Sequence, residues 1–352
     1  MSESRPEVTV IVPVFRGAKV ISPCLDKVTG QQTARSIEVI VVDDGSDDDT
    51  GAAVTDWIER YRNNSEGTIP VRLIRQEHKG PAAARNLGAR HAQGEILLFT
   101  DADCEPYPNW LDAMIEPFRD PAICGVKGAY ETVQPEWVAR LVQVEYEEKY
   151  NRMKRFDSID FIDTYSAAFR RDVFLSLEGF DESFPNASVE DQEFSFRMAE
   201  QECKMCFVPD ARVAHRHATN LRTYAKKKFR IAYYKSYLLV RHPGRVRGDT
   251  HTPPSLVSQI PLSYLLPIFL AVTVWWQPAV WMAAAALAVN LACMGGTFRV
   301  CRNRAPRLLP LVPVLLMTRS FALGAGLICG TVRFRARGLK PRANESQYDK
   351  SG

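Results

Sequence analysis

Four short apolar runs, each ending in a polar turn and followed by residues at helical spacing, restrict this chain more than any other feature does. They fall at residues 8–13, 37–42, 71–75 and 96–100. The second, I-E-V-I-V-V, reads as a strand buried on both faces, as the strands of a parallel sheet are. Residues 19–31, 50–61 and 81–91 space their apolar side chains as helices do, and Pro81 suits a first helical turn. Repeated strand–helix units of this size predict an α/β fold: a Rossmann-like, mostly parallel sheet with right-handed crossovers and helices on both faces.

Open sheets of this kind bind ligands beyond the carboxyl ends of their strands. Asp43, Asp44, Gly80, Asp101 and Asp103 all follow a strand directly and gather on that edge. In an extended stretch, residues two apart project to one side, so Asp101 and Asp103 are expected to stand together. Paired carboxylates repel unless a cation lies between them, and hard oxygen ligands suit Mg²⁺ or Mn²⁺. In H-K-G-P-A-A-A-R-N, residues 78–86, small side chains allow close approach of a ligand to a helix start. Lys79 and Arg85 there supply charge for a phosphate; a solvated helix position is the plain alternative for Arg85.

Further along, residues 163–169 are expected to bring a strand back toward the site, with Ser166 and Ala167 leaving room for a ligand. Glu190 and Asp191 follow Ser188, which can cap a helix reaching to about residue 201. They either stabilise the helix dipole or hold a carboxylate in the cleft as a general base. His215 or His217 can bring an imidazole to the cation, and each equally fits a surface or hydrogen-bonded role. Glu145, Glu147, Glu148 and Lys149 read as the solvated face of a helix over residues 135–154.

Lys and Arg exceed Asp and Glu by only four, which gives no reason to expect a nucleic-acid partner. Eight cysteines are scattered without a disulfide framework, and the C-x-x-C at Cys203 and Cys206 has no second pair to complete a zinc site. Buried thiols in a reduced compartment are expected. The first residues, M-S-E-S-R-P-E, carry no apolar run of signal type, which predicts an N-terminus left in the cytosol.

In this order and spacing, V-I-V-P-V-F, V-V-D-D-G-S, G-P-A-A-A-R-N, T-D-A-D and V-E-D-Q-E-F resemble the family 2 glycosyltransferases of the GT-A fold. The resemblance covers roughly residues 8–217. It implies that Pro13 and Asp43 hold a nucleotide base, that Lys79 and Arg85 lie along the nucleotide, and that Asp101 faces the ribose. It further implies Asp103 as a metal ligand, Glu105 as an added one, and Asp191 as catalytic base. Ser166 and Glu190 are expected to line the sugar or acceptor pocket. Processive members carry Q-x-x-R-W soon after the E-D pair; its absence here favours transfer of a single sugar. A haloacid-dehalogenase-type phosphatase also places D-x-D after a strand, but normally has Thr or Val where Glu105 stands. A scaffold that keeps the fold without the reaction is a third reading.

From Leu221 the chain changes character. Residues 221–247 mix Lys226, Lys227, Lys228 and Arg230 with aromatic side chains and hold no acid, as a helix lying on anionic headgroups would. Residues 256–276 and 278–298 are each long and apolar enough to cross a bilayer. Trp275, Trp276 and Trp281 stand at their shared turn, with Arg299, Arg302, Arg304 and Arg307 at the other end. The positive-inside rule then puts both basic stretches, and the catalytic domain, on the cytosolic side. Arg319 interrupts a third apolar segment, 308–330, which is therefore expected to be re-entrant or interfacial. The expected organisation is a cytosolic catalytic domain (1–220), a basic interfacial region (221–254), embedded helices (255–332) and a basic tail (333–352). The expected function is metal-dependent, inverting transfer from a nucleotide sugar, UDP-sugar first. The expected acceptor is a lipid-linked or cell-envelope hydroxyl at a bacterial inner membrane.

Overall fold

The computed structural model describes residues 5–64, 69–184, 188–242, 250 and 252–336, which divide into two compact units. The basic residues Arg245, Arg247, Arg337, Lys340 and Arg342 lie outside the described residues.

The first unit takes in residues 5–131 and 157–216. Its strands are β1 (Val8–Val14), β2 (Ile37–Asp43), β3 (Val71–Arg75), β4 (Ile96–Phe99), β5 (Glu105–Pro106), β6 (Ile123–Glu131), β7 (Ala167–Arg170) and β8 (Lys204–Ala214). They form one sheet in the order β3-β2-β1-β4-β7-β6-β8-β5. The first four are parallel and are joined by the helices α1 (Ile21–Thr29), α2 (Thr50–Asn63) and α3 (Pro81–His91). Every residue of β1 and β2 is buried, as expected of strands covered on both sides. β7 runs antiparallel to both β4 and β6, and β5 antiparallel to β8. The sheet is thus mixed in its second half, where the sequence lacks the regular alternation of its first.

Three short helices complete this part of the chain: α4 (Trp110–Ile115), α6 (Arg171–Ser176) and α7 (Glu190–Glu200), with α5 (Trp137–Met153) belonging to the second unit. The strand expected over 163–169 is shorter; residues 164–166 form a tight helical turn before β7. Lys204–Ala214 form one long strand, β8, whose register against β6 shifts between Lys127 and Ala129. Phe99, Phe169, Phe174, Phe180 and Phe194 form a buried cluster with ring centroids 4.9 to 6.4 Å apart. Each such pair contributes about 0.5–1.5 kcal/mol beyond its buried area, and together they fasten the start of α7 to the sheet.

The second unit takes in residues 132–156 and 217–336. Its helices are α5, α8 (Leu221–Arg241), α9 (Pro254–Val272), α10 (Ala279–Cys293), α11 (Gly295–Arg304) and α12 (Val312–Thr331). Reading residues 145–149 as a solvated face is corrected here, because Glu145 and Glu147 are buried. Glu145 accepts hydrogen bonds from the Tyr224 hydroxyl and Arg319 Nη1, both at 2.7 Å, and Lys228 Nζ stands 3.6 Å away. Arg319 Nη2 reaches Gln259 Oε1 at 2.6 Å. Burial alone would push the Glu145 carboxyl up, but Lys228 and Arg319 hold it down at about 2.

That network also removes the argument for an interrupted third segment. Arg319 has its counter-charge inside the protein, and Pro306–Phe334 is continuous and, like α9, long and apolar enough to cross a membrane. The break falls instead in the second expected crossing, where α10 and α11 meet at 51°. The basic helix α8 lies along α12 rather than alone. A Cβ on Gly326 would stand 2.3 Å from the Phe229 carbonyl oxygen, and one on Gly330 2.3 Å from that of Tyr233. Small residues at this spacing let two helix backbones approach closely.

Replacing Glu145 by Leu leaves Arg319 buried without its carboxylate. The full chain in detergent should lose about 3–5 kcal/mol of stability, seen as a lower unfolding temperature. An unchanged transition would mean that the pair is solvated after all.

Candidate active site

The edge formed by the ends of β1, β2 and β4 is held together by three side chains that cross between elements. The first is Asp44. Its Oδ1 accepts from Lys79 N at 2.9 Å and Gln76 Nε2 at 2.6 Å. Its Oδ2 accepts from Gly80 N at 2.9 Å, with His78 Nδ1 2.8 Å away. Gly80 sits at φ +94°, where a side chain would be strained, and α3 starts immediately after it. Asp44 therefore fixes the loop that delivers Lys79. The sequence shows Asp44 beside Asp43 but not its role, since every partner lies more than thirty residues downstream. His78 also stacks on Phe15, with centroids 4.0 Å apart at 20°.

Next to it, Asp43 is fully buried. Its Oδ1 accepts from Ser46 N at 2.9 Å, while Oδ2 has no hydrogen-bond partner and lies 3.5 Å from Arg75 Nε. The Arg75 charge offsets part of the cost of burying that oxygen, which still has room to accept a ligand N–H. Pro13 is buried in β1 opposite Val42 of β2. The Lys79 side chain is exposed and forms no ion pair among the described residues.

The second crossing side chain is Arg85. Its Nη2 donates to Asp101 Oδ1 at 2.7 Å and its Nη1 to Glu190 Oε1 at 3.2 Å. Arg85 is 3 % exposed. Its guanidinium is thus committed to two carboxylates, which corrects its assignment to the donor phosphate. Glu190 is equally committed: it is buried, and its Oε2 accepts from Ser188 N at 2.7 Å. It holds the start of α7 in place rather than lining a sugar pocket. Ser166 is corrected too, being fully buried with its hydroxyl oxygen accepting from Trp110 Nε1 at 2.8 Å.

Asp191, beside Glu190, is half-buried, and its Oδ1 accepts from Gln192 N at 2.7 Å. Its carboxyl is pushed up to about 7, first by burial and then by the Glu190 charge, against the pull of Arg85. Lys127, fully buried in β6 and paired with Asp163, adds a weaker downward pull. A lysine inside an apolar strand pattern is the sequence signal for that buried charge.

The third crossing is at the D-x-D turn. Residues 101–104 are not extended: Cys104 N donates to Asp101 O at 3.0 Å. The two aspartates consequently engage different partners, Asp101 the guanidinium of Arg85 and Asp103 the imidazole of His215. The β5–β8 pairing, with Glu105 opposite Ala214, brings His215 beside the turn. His215 Nδ1 stands 3.5 Å from Asp103 Oδ1, and Tyr130 stacks on the ring at 4.5 Å. Asp103, Cys104 and His215 offer ligand atoms within 4.8 Å of one another. Cys104 is fully buried and burial pushes its thiol up, so a carboxylate and an imidazole are the ready ligands. Glu105 is exposed and outside this group. His217 is absent from the site as well; its Nε2 contacts Gln143 in the second unit at 3.0 Å.

A mixed α/β sheet with acidic turns at the carboxyl ends of its central strands is the GT-A type of fold. It is shared over 93 % of this chain and 88 % of the other with a mannosyltransferase from Pyrobaculum calidifontis, at a TM-score of 0.59 and 24 % identity. That structure was solved with GDP-mannose and Mn²⁺. Residues 9–177 match the model for glycosyl transferase family 2, and the chain carries a domain of that family. Among curated relatives, the glycosyltransferase AglE of Haloferax volcanii is 36 % identical over 136 residues, 38 % of this chain and 43 % of that one. The pre-mycofactocin glycosyltransferase of Mycobacterium tuberculosis is 26 % identical over 255 residues, 69 % of this chain and 49 % of that one. The chain spans about half, or less, of the length of these relatives.

Arg85→Lys should not behave as a conservative change, because one ammonium cannot fork to two carboxylates. A lower unfolding temperature together with at least a tenfold slower turnover is expected. Wild-type stability in that variant would show that the fork contributes little.

Proposed function

We propose that the chain is an inverting glycosyltransferase that moves one sugar from a nucleoside-diphosphate donor to an acceptor hydroxyl. The observation that carries this reading is the Arg85 fork, which ties the D-x-D turn to the start of α7, the helix that carries Asp191. A carboxyl at about 7 is a stronger base than an ordinary aspartate and is about half ionised at neutral pH. Asp191 would take the proton from the attacking hydroxyl as the bond to the sugar forms. The leaving diphosphate needs no proton, so no second acid is required.

Asp103 and His215 are suited to hold Mn²⁺ or Mg²⁺, with Glu105 no longer favoured as a ligand. When bound, such an ion supplies Lewis-acid neutralisation of the leaving diphosphate. Asp43 Oδ2, which accepts no hydrogen bond, and the Phe15–His78 stack support a nucleobase pocket, and a carboxylate oxygen there accepts equally from a uracil or a guanine N–H. Lys79 remains the cation available to the donor phosphates. UDP-sugar stays the first donor to test, with GDP-sugar beside it. The apolar helices α9 and α12, with the bent pair α10–α11, support membrane anchoring with the catalytic unit on the cytosolic face. A lipid-linked or cell-envelope acceptor at a bacterial inner membrane accords with that anchoring.

Purified full-length protein in detergent, offered a panel of UDP- and GDP-sugars, should release one nucleoside diphosphate. Release of phosphate from simple monoesters without any nucleotide sugar would support the phosphatase alternative. Asp191→Asn should lose transfer by roughly 10²-fold or more while nucleotide and Mn²⁺ still bind. Asp103→Ala should lose metal-dependent nucleotide binding.

The pH dependence has a definite sign. Asp191 acts only when ionised, so kcat/KM should fall as pH drops through about 7, approaching tenfold per unit below it. A flat profile from pH 8 down to about 5, in the range where an ordinary carboxylate stays ionised, would remove the base assignment.

A further inference from the structure

The proposed reaction leaves unused a cleft of about 460 Å³ in the second unit, between the end of α5 and the start of α11. Arg152 and Arg155 line it from one side and Arg299 from the other, with Glu148 the one carboxylate among the lining residues. Three positive charges therefore face one negative. Glu148 already accepts a hydrogen bond from the Thr297 hydroxyl. Arg155 and Arg299 are exposed, and their side chains form no hydrogen bond or ion pair among the described residues. Guanidiniums gathered in one cleft repel each other, and an anion with several oxygens relieves that repulsion while accepting their forked N–H groups. Gly296, in the first turn of α11, belongs to the same wall, and there the Glu148 carboxylate already lies against the helix start.

The position of the cleft identifies the kind of anion. α10 runs directly into α11 and exposes Val280, Trp281, Met282, Leu287, Val289 and Leu291. Arg302 and Arg304 follow Arg299 at the polar end of that apolar surface. A ligand seated here has an arginine-lined pocket at one end and a long apolar face beside it. We propose that the cleft binds the phosphate of an anionic phospholipid, whose acyl chains lie along α10. The inference rests on the membrane-embedded reading of these helices. The bend at Met294 then has a use, since it turns α11 so that Arg299 faces the end of α5.

Full-length protein, purified in detergent and transferred to vesicles, provides the test. Phosphatidylglycerol should raise its unfolding temperature in phosphatidylcholine bilayers in a saturable way. The double variant Arg155→Gln/Arg299→Gln should need roughly tenfold more phosphatidylglycerol or more for the same rise, since each basic side chain near a headgroup contributes about 1 kcal/mol. Arg307→Gln, outside the cleft, should respond as wild type. An equal response from the double variant would overturn the headgroup site. So would equal protection by inorganic pyrophosphate, which would make the ligand a soluble phosphate. Stable retention in phosphatidylcholine with no phosphatidylglycerol response overturns the headgroup site alone. Failure to enter bilayers at all overturns the membrane reading as well.

Discussion

The first unit depends on one buried guanidinium. Arg85 reaches Asp101 at the end of β4 and Glu190 at the start of α7, residues 89 positions apart in sequence. A charge buried to this degree is tolerated only when it is paired and hydrogen-bonded, and the pairing in turn fixes where both carboxylates can stand. Asp191 is the neighbour that benefits. Its environment is apolar enough to raise its carboxyl to about 7, yet Arg85 keeps the local charge from making it permanently neutral. The fork is therefore a positioning device whose chemical consequence appears one residue further on.

The same logic is repeated in the second unit with different residues. Glu145 gathers Tyr224, Lys228 and Arg319 from α8 and α12, and Arg319 continues to Gln259 in α9. In each case a buried charge is a junction between helices or strands far apart in sequence. Pairs of this kind are weak evidence for extra stability but strong evidence for a specified arrangement, because a partner left alone is heavily penalised. The close approach of α8 and α12 at Gly326 and Gly330 adds a steric specification to the electrostatic one.

Three carboxylates and an imidazole stand at the candidate site with different partners. Asp101 is bound to Arg85, Asp103 faces His215, and Asp191 is the group we propose as the base. D-x-D alone does not reveal that division. It follows from a turn at 101–104 that separates side chains an extended strand would have aligned, and from the β5–β8 pair that imports His215.

By itself, the sequence determined the strand–helix alternation, the α/β class, the edge on which the acidic residues gather and the apolar helices of the last third. These are periodic or local properties, and apolar spacing reports them directly. The elements β1 to β4 and α1 to α3 lie close to where their residues predict them. Only the tertiary structure decided what each polar side chain faces. It turned Arg85, Glu190 and Ser166 from ligand contacts into internal partners, moved His217 out of the site, buried Glu145 and moved the break from the Arg319 segment to the junction of α10 and α11. For the side chains the physical reason is shared: a polar group's role depends on its partner, and apart from Asp101 and Ser188 those partners lie more than fifty residues away. No local pattern carries that information.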